Sequence, residues 1–139
     1  MKLNKPLRIA CDGESASGKS LASKLIAKKY NLFCLNSGLA YRYASYLLIK
    51  HKPRKNISFL KKKFKNLKYK KITRINLHTE KISNHVVILA QKKSVREIAR
   101  SFQKKIIKQN PRICCEGRDS ASTILKKNPK YDLDFYFKC

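Results

Sequence analysis

An octapeptide near the N-terminus constrains the fold of this chain more than any other feature. Residues 13–20 read Gly-Glu-Ser-Ala-Ser-Gly-Lys-Ser and match the pattern G-x-x-x-x-G-K-[ST] at every fixed position. The apolar run Leu7–Cys11 precedes the octapeptide, and Ser20–Tyr30 follows it with apolar residues at helical spacing. A strand that enters such a turn and a helix that leaves it are the setting in which this pattern binds phosphate. The sequence therefore predicts a phosphate-binding loop between a strand and a helix.

Each residue of this loop is expected to contribute to binding ATP. Glycines let the backbone curl so that successive N–H groups face phosphate oxygens. Lys19 is expected to reach the terminal phosphates and is a predicted catalytic residue, whereas Ser20 is the predicted ligand of Mg²⁺. The predicted ATP-binding set is Gly13, Glu14, Ser15, Ala16, Ser17, Gly18, Lys19 and Ser20.

Short apolar runs alternate with helical patterns along the rest of the chain. This alternation indicates an α/β fold, a mostly parallel sheet of the P-loop NTPase type flanked by helices. We predict one domain with a core of residues 1–50 and 94–139 and a small hairpin and helical insertion at about 51–93. The predicted strands are Leu7–Cys11, Leu32–Leu35, Ile113–Cys115 and Leu133–Phe137, and the predicted helices are Ser20–Tyr30, Leu39–Lys50, Ile57–Leu67, Ser94–Gln109 and Ser120–Lys127, with Ser94 as a cap and a hairpin of Ile72–His78 with Lys81–Val87.

The charge of the chain is strongly basic. Its 139 residues carry 34 Lys and Arg against 8 Asp and Glu, and no carboxylate occurs from Ser15 to Thr79. Such a balance raises the hypothesis of a nucleic-acid or anionic-membrane partner. However, the surplus is mostly lysine accompanied by Ile and Asn, which is also the bias of AT-rich coding DNA. We therefore favour a solvated lysine surface, without a membrane or specific nucleic-acid partner, whose field speeds the encounter with phosphorylated ligands.

The cysteines and the apolar segments bear on the cellular compartment. The five cysteines are an odd number without metal-ligand spacing, and three lie within apolar runs, so we interpret them as reduced core residues. No apolar stretch approaches the ~20 residues that span a bilayer, and no signal-peptide core follows the basic start. The sequence predicts a cytoplasmic protein.

Cationic residues after other strands narrow the class of phosphate chemistry. A phosphate-binding loop alone does not separate GTPases, motor ATPases and small-molecule kinases. A kinase needs cations around a second phosphate, and Arg42 and Arg118 each follow a predicted strand end, where they are expected to share a crevice with Lys19. Two carboxylates there keep alternative roles: Asp119 could accept from a base amino group or orient Arg118, and Glu116 could hold a metal-bound water or pair with Arg118.

Four motifs follow one another along the chain: Ile9–Gly13 running into Ser17–Ser20, Asn36–Gly38 with Tyr41-Arg42, Val95–Glu97, and Glu116–Asp119. In this order they resemble the motifs of the bacterial cytidylate kinases, the (d)CMP kinases of the nucleoside monophosphate kinase group. The resemblance covers nearly the whole chain and implies transfer of the γ-phosphoryl group of ATP to CMP or dCMP, giving CDP or dCDP, with Mg²⁺.

The resemblance also implies an acceptor site. By position, Ser37 and Arg42 contact the acceptor monophosphate, and Arg118 bridges towards the transferring group as a second catalytic residue. Arg96 and Asp119 read the cytosine ring. The predicted CMP-binding set is thus Ser37, Arg42, Arg96, Arg118 and Asp119.

The sequence departs from the family pattern at several places. Asn36 replaces the usual aspartate before Ser-Gly, and Ala121 replaces a glycine after Gly-Arg-Asp. The chain stops at Cys139, after the strand that in relatives leads into a helix, an arginine-bearing lid and a last strand. We therefore expect a sheet without its last strand, in a monomer whose open edge permits self-association.

Three functions follow as hypotheses. The first is a (d)CMP kinase. The second is a truncated remnant that binds nucleotide without turnover, because the lid that normally excludes water is missing. The third, a basic nucleic-acid-binding ATPase, has less support because the basic residues are not interleaved with stacking aromatics.

Overall fold

A computed structural model describes residues 5–14, 16–127 and 129–138. The chain divides into two compact units, one formed by the residues up to 37 together with those from 107 onward, and one formed by residues 38–106. The predicted division into a core of 1–50 and 94–139 around an insertion of about 51–93 stays a prediction.

The first unit contains a four-stranded sheet in which all paired strands run parallel. Its central strand is β1, whose residue Ile9 pairs with Cys114 on one side and with Leu133 on the other. The sheet confirms the predicted α/β fold of the P-loop NTPase type and its four strands. These are β1 (Leu7–Gly13), β2 (Phe33–Asn36), β3 (Arg112–Gly117) and β4 (Leu133–Phe137), in the spatial order β2-β3-β1-β4.

Helix α1 (Lys19–Tyr30) packs on one face of this sheet. The predicted helix is confirmed, but its apolar periodicity does not identify the packed side. Leu21 and Leu25 are 67% and 59% exposed, whereas Ser23 and Ala27 are buried. The core beneath the helix is formed by Ile9, Cys11, Ala27, Leu32 and Cys114, with Leu7, Ile26, Cys34 and Phe137 packed against it.

Four cysteines lie in this sheet as free thiols. Cys11, Cys114 and Cys115 are fully buried and Cys34 is half-buried, which confirms the predicted core position of the cysteines in apolar runs. Their reduced state stays a prediction, and Cys139 lies outside the described residues. The Sγ atoms of Cys11 and Cys114 are 3.7 Å apart, and this hydrogen bond lowers the pKa of Cys11 to about 7. Burial raises the pKa of Cys34 to about 11.

The second unit is helical. Its core includes Phe64, whose ring centroid lies 5.8 Å from that of Tyr43 and 5.6 Å, edge-on, from that of Phe102. The predicted helices are confirmed, although the last begins one residue earlier than expected, so Ser94 lies in its first turn and does not precede it. The helices are α2 (Gly38–His51), α3 (Asn56–Phe64), α4 (Tyr69–Thr73), α5 (Glu80–Leu89) and α6 (Lys93–Gln109).

Two sequence predictions are wrong. The hairpin of Ile72–His78 with Lys81–Val87 is replaced by α4 and α5, because Thr79 caps α5 by accepting a hydrogen bond from the Ile82 N–H at 3.3 Å. The predicted helix Ser120–Lys127 is instead a single π-helical turn, Ser120–Ile124, held by backbone hydrogen bonds.

None of the helices among the described residues combines the length and apolar character needed to cross a membrane.

Candidate functional site

The loop between β1 and α1 has the backbone conformation of an anion-binding turn. Ala16 and Gly18 adopt left-handed conformations, with φ of 59° and 82°. Such residues curl the chain so that N–H groups converge into a concave anion site. The first N–H groups of α1 add to it, because a helix provides them with no internal acceptor. Ser15, which the sequence predicts to bind ATP, lies outside the described residues.

Contacts within the loop hold Lys19 over it. The Lys19 Nζ donates to the backbone oxygen of Glu14 at 3.2 Å. The Glu14 N–H donates to the Phe137 oxygen at 3.2 Å, so the loop is also tied to β4. The buried hydroxyl of Ser17 has no hydrogen-bond partner among the described residues. A buried polar group without a protein partner is suited to a ligand oxygen.

Beneath the loop, Ser20 is bonded to a carboxylate. The Ser20 Oγ donates to Oε1 of Glu116 at 2.8 Å, and Glu116 is buried near the end of β3. Because the hydroxyl proton points to Glu116, the lone pairs of Ser20 remain for a cation. Hydroxyl and carboxylate oxygens are ligands that Mg²⁺ prefers. The residues present therefore fit a nucleotide bound with Mg²⁺. The sequence suggests that Glu116 holds a metal-bound water or pairs with Arg118, whereas the structure hydrogen-bonds it to Ser20.

Asp12, at the end of β1, anchors the segment after Gly-Arg-Asp. It is 6% exposed, and its Oδ1 accepts the Ser120 N–H at 2.7 Å while its Oδ2 accepts the Ala121 N–H at 2.9 Å. The loop of Gly117, Arg118 and Asp119 is thereby fixed between β3 and a π-helix bound to β1. The site residues predicted from the sequence do not include Asp12. The sequence feature that could have identified it is its place at a strand end directly before the loop glycine, since the chain has only 8 carboxylates.

The ends of β2 and β3 also meet. Ser37, directly after β2, is buried, and its N–H donates to the Glu116 oxygen at 3.0 Å. A Cβ placed on Gly117 would overlap the Ser37 hydroxyl, which would then have to rotate away. The structure therefore brings Ser37 beside Glu116 and Gly117, as expected where parallel strands end at one edge. Arg118 and Asp119 follow and are exposed.

The other two predicted site residues belong to the second unit. The Arg42 Nη1 donates to the Leu77 oxygen and to the Ser83 Oγ, both at 3.0 Å. The Arg96 Nη1 donates to the Gln91 oxygen at 2.6 Å. Both guanidinium groups are thus held in place by hydrogen bonds within their own unit.

Gly13, where β1 passes into the loop, lies so close to Phe137 that a larger residue at this position should disturb the packing of β4. A Cβ at Gly13 would overlap the Phe137 backbone oxygen and lie 2.9 Å from the Phe137 Cβ. Gly13→Ala is therefore expected to displace β4 and to lower the free energy of unfolding by about 2 kcal/mol. Hydrogen exchange should show faster exchange of the Glu14 N–H, which donates to Phe137.

Gly18→Ala is the matched control for Gly13→Ala. A Cβ at Gly18 has open space around it, and the substitution is strained only by the left-handed φ of 82°. We expect about 1 kcal/mol of destabilisation without loss of Glu14 protection. Unchanged Glu14 exchange in Gly13→Ala would contradict the assigned contact.

A parallel sheet whose central strand enters this loop, with a serine–carboxylate pair beneath it, defines a P-loop nucleotide-binding protein. The model of the family "Cytidylate kinase" matches residues 9–135. The chain belongs to the cytidylate kinase family.

Individual relatives agree with this assignment. The chain is 32% identical to the cytidylate kinase of Phytoplasma mali (strain AT), 35% to that of Mycoplasmopsis synoviae (strain 53) and 30% to that of Aquifex aeolicus (strain VF5). The alignments include 95%, 94% and 88% of this chain. They include 62%, 64% and 60% of the relatives, so the chain spans about three fifths of their length.

Proposed function

We propose that this chain transfers the γ-phosphoryl group of ATP to CMP or dCMP. An oxygen of the acceptor monophosphate bonds to the γ-phosphorus as the bond from phosphorus to the bridging oxygen breaks, so CDP or dCDP forms and ADP leaves. The observation that carries the proposal is the hydrogen bond between Ser20 and Glu116 beneath the phosphate-binding loop. The relatives described above are cytidylate kinases, which supports the choice of acceptor.

On the donor side, the loop and Lys19 hold the phosphates of ATP. Ser20, with Glu116 behind it, would hold Mg²⁺, which when bound neutralises charge on the β- and γ-phosphates. The Ser17 hydroxyl, buried and without a protein partner among the described residues, donates to a phosphate oxygen. Phosphoryl transfer depends mainly on positioning and charge neutralisation, so this site needs no dedicated base.

On the acceptor side, Ser37 and Arg42 contact the monophosphate. Among the described contacts Arg42 uses only Nη1, so the rest of its planar fork remains for a phosphate, which arginine binds in two places. Arg118, exposed beyond β3, bridges to the transferring group. Arg96 and Asp119 read the cytosine ring by hydrogen bonds.

The test is a phosphoryl-transfer assay on the purified chain, verified by intact mass. ATP and Mg²⁺ are combined in turn with CMP, dCMP, UMP and AMP, and the nucleotide products are separated and quantified. We expect CDP or dCDP to form faster than the other diphosphates. CMP binding without product would favour a nucleotide-binding remnant, and absence of binding as well would overturn the proposal. ATP hydrolysis stimulated by DNA, with a strong salt dependence, would indicate a nucleic-acid-binding ATPase.

A further inference from the structure

Arg42, the arginine proposed to bind the acceptor monophosphate, is held by two hydrogen bonds from a single nitrogen. Arg42 lies in the first half of α2, and its Nη1 donates to the Leu77 oxygen and to the Ser83 Oγ, both at 3.0 Å. A terminal guanidinium nitrogen carries two N–H groups, so these two acceptors use both of them. Among the described contacts, the Nε and Nη2 groups on the other edge therefore remain for a ligand.

Both acceptors belong to a well-packed part of the helical unit. Leu77 is buried, and Ser83 directly follows the buried Ile82 in α5. The Ser83 N–H donates to the Thr79 oxygen at 2.9 Å, and the Thr79 side chain caps the same helix. Helix geometry and packing therefore place the Ser83 hydroxyl, so that it can fix a guanidinium group in turn.

Fixing the arginine before a ligand arrives lowers the cost of binding. An arginine side chain has several rotatable bonds, whose freedom is lost when the guanidinium binds a phosphate in two places. If protein hydrogen bonds already hold the planar group, this loss occurs on folding and not on binding. The Leu77 acceptor is a backbone oxygen, which any residue provides. The Ser83 hydroxyl is thus the part of this arrangement that depends on a particular side chain.

We propose that Ser83 is a positioning residue for the acceptor phosphate. By accepting from Nη1 it holds the Arg42 guanidinium so that the edge formed by Nε and Nη2 is the fork that binds the phosphate. This inference rests on the proposed function, from which it takes the role of Arg42. It adds a residue that lies between the sequence motifs, after Tyr41-Arg42 and before Val95–Glu97.

Ser83→Ala is expected to weaken CMP binding about fivefold and to leave cytidine binding unchanged. The substitution removes one acceptor of Arg42, whose hydrogen bond contributes on this scale, whereas the bond to Leu77 remains. Cytidine has no phosphate, so the ratio of the two affinities reports the phosphate contact alone. NMR chemical-shift titrations of the purified chain with CMP and with cytidine measure both affinities. A change in the fold of the site would instead lower both.

Ser45→Ala is the matched control. Ser45 lies one turn after Arg42 on α2, and its Oγ is hydrogen-bonded to Nδ1 of His85 on α5 at 3.0 Å. The control removes a hydrogen bond between the same two helices, leaves Arg42 untouched and, like Ser83→Ala, keeps the net charge. We expect wild-type CMP affinity in Ser45→Ala and in Ser83→Thr, which retains a hydroxyl. Equal losses in Ser83→Ala and Ser45→Ala would overturn the proposal, because they would indicate a general loosening of the helix pair.

Arg42→Ala separates a failure of this inference from a failure of the proposed function. If Arg42 binds the phosphate, its removal should weaken CMP binding about 100-fold, and adding Ser83→Ala should cause no further loss. Wild-type affinity in Ser83→Ala beside a weakened Arg42→Ala would overturn the positioning role alone. Wild-type affinity in Arg42→Ala, or absence of CMP binding by the wild-type chain, would overturn the acceptor role of Arg42 and this inference with it.

The restraint on the guanidinium can also be observed without a nucleotide. Rotation about the bond between Nε and Cζ exchanges the two Nη nitrogens and averages their NMR signals, and hydrogen bonds to one of them slow this rotation. We expect separate Nη1 and Nη2 signals for Arg42 in the wild-type chain, identified by their loss in Arg42→Lys. In Ser83→Ala we expect averaged signals. Averaged signals in the wild-type chain would overturn the proposal.

Discussion

Alanine in place of Asp12 is expected to lower the free energy of unfolding by about 3 kcal/mol. The carboxylate is buried and accepts two backbone N–H groups, at 2.7 and 2.9 Å, from the start of the π-helix. Its removal leaves the buried Ser120 N–H and the partly buried Ala121 N–H without an acceptor, and an unsatisfied buried group costs about 1–3 kcal/mol. Urea-induced unfolding, monitored by circular dichroism and analysed by linear extrapolation, measures the difference in the free energy of unfolding between wild type and variant.

Two variants isolate this effect. Asp119→Ala removes a carboxylate that is exposed, so we expect a change within about 0.5 kcal/mol. Asp12→Asn keeps one acceptor oxygen and turns an amide NH₂ towards the other donor, so its loss should lie between those of wild type and Asp12→Ala. If Asp12→Ala were as stable as Asp119→Ala, the anchoring role of Asp12 would be wrong.

Lys19→Ala is expected to reduce kcat/KM for phosphoryl transfer by about 10³-fold. The Lys19 ammonium is held over the loop by its hydrogen bond to the Glu14 oxygen at 3.2 Å. In the proposed reaction it neutralises charge on the transferring group. Removing one such preorganised donor commonly lowers kcat by about 10²–10³-fold. We expect roughly the upper end of this range here, because a full charge is lost. The quantity is measured by product formation at low substrate concentration.

The matched control is Lys24→Ala. Lys24 lies on the same helix and is exposed, so its removal lowers the net charge equally without altering the loop. The melting temperature with and without ATP provides a second readout, because a ligand that binds the folded state raises it. We expect a smaller rise in Lys19→Ala than in wild type, and an unchanged rise in Lys24→Ala. A Lys19→Ala variant within tenfold of wild type in kcat/KM would contradict the role of the lysine.

The sequence was most informative where function depends on local spacing. The phosphate-binding loop could be predicted because all its fixed positions lie within residues 13–20, between a strand and a helix. The proximity of Ser37 to Glu116 could be predicted from a rule of topology, since parallel strands bring their carboxyl ends to one edge. The roles of Arg42, Arg96 and Arg118 in binding CMP stay predictions.

Features that depend on tertiary contacts could not be predicted from the sequence. The hydrogen bonds of Asp12 connect residues separated by 108 and 109 positions, and no local pattern reports them. Leu21 and Leu25 have the spacing of a buried stripe yet are exposed, because the packing of α1 on the sheet selects a different side. Around residue 79 a helix cap outweighed an alternating pattern too short to define a strand.

The position of β1 at the centre of the sheet determines the order in which a nascent chain can fold. Contacts of β1 with β3 and β4 join residues 103 and 124 positions apart, so β1 can pair with either strand only after more than 100 further residues have been synthesised. Residues 38–106 are contiguous, and their contacts close much shorter loops. Because long-range strand pairing slows folding, we expect the helical unit to form before the sheet. Until then the apolar residues Ile9–Cys11, which begin the run of five consecutive buried residues of β1, stay accessible to chaperones and to aggregation.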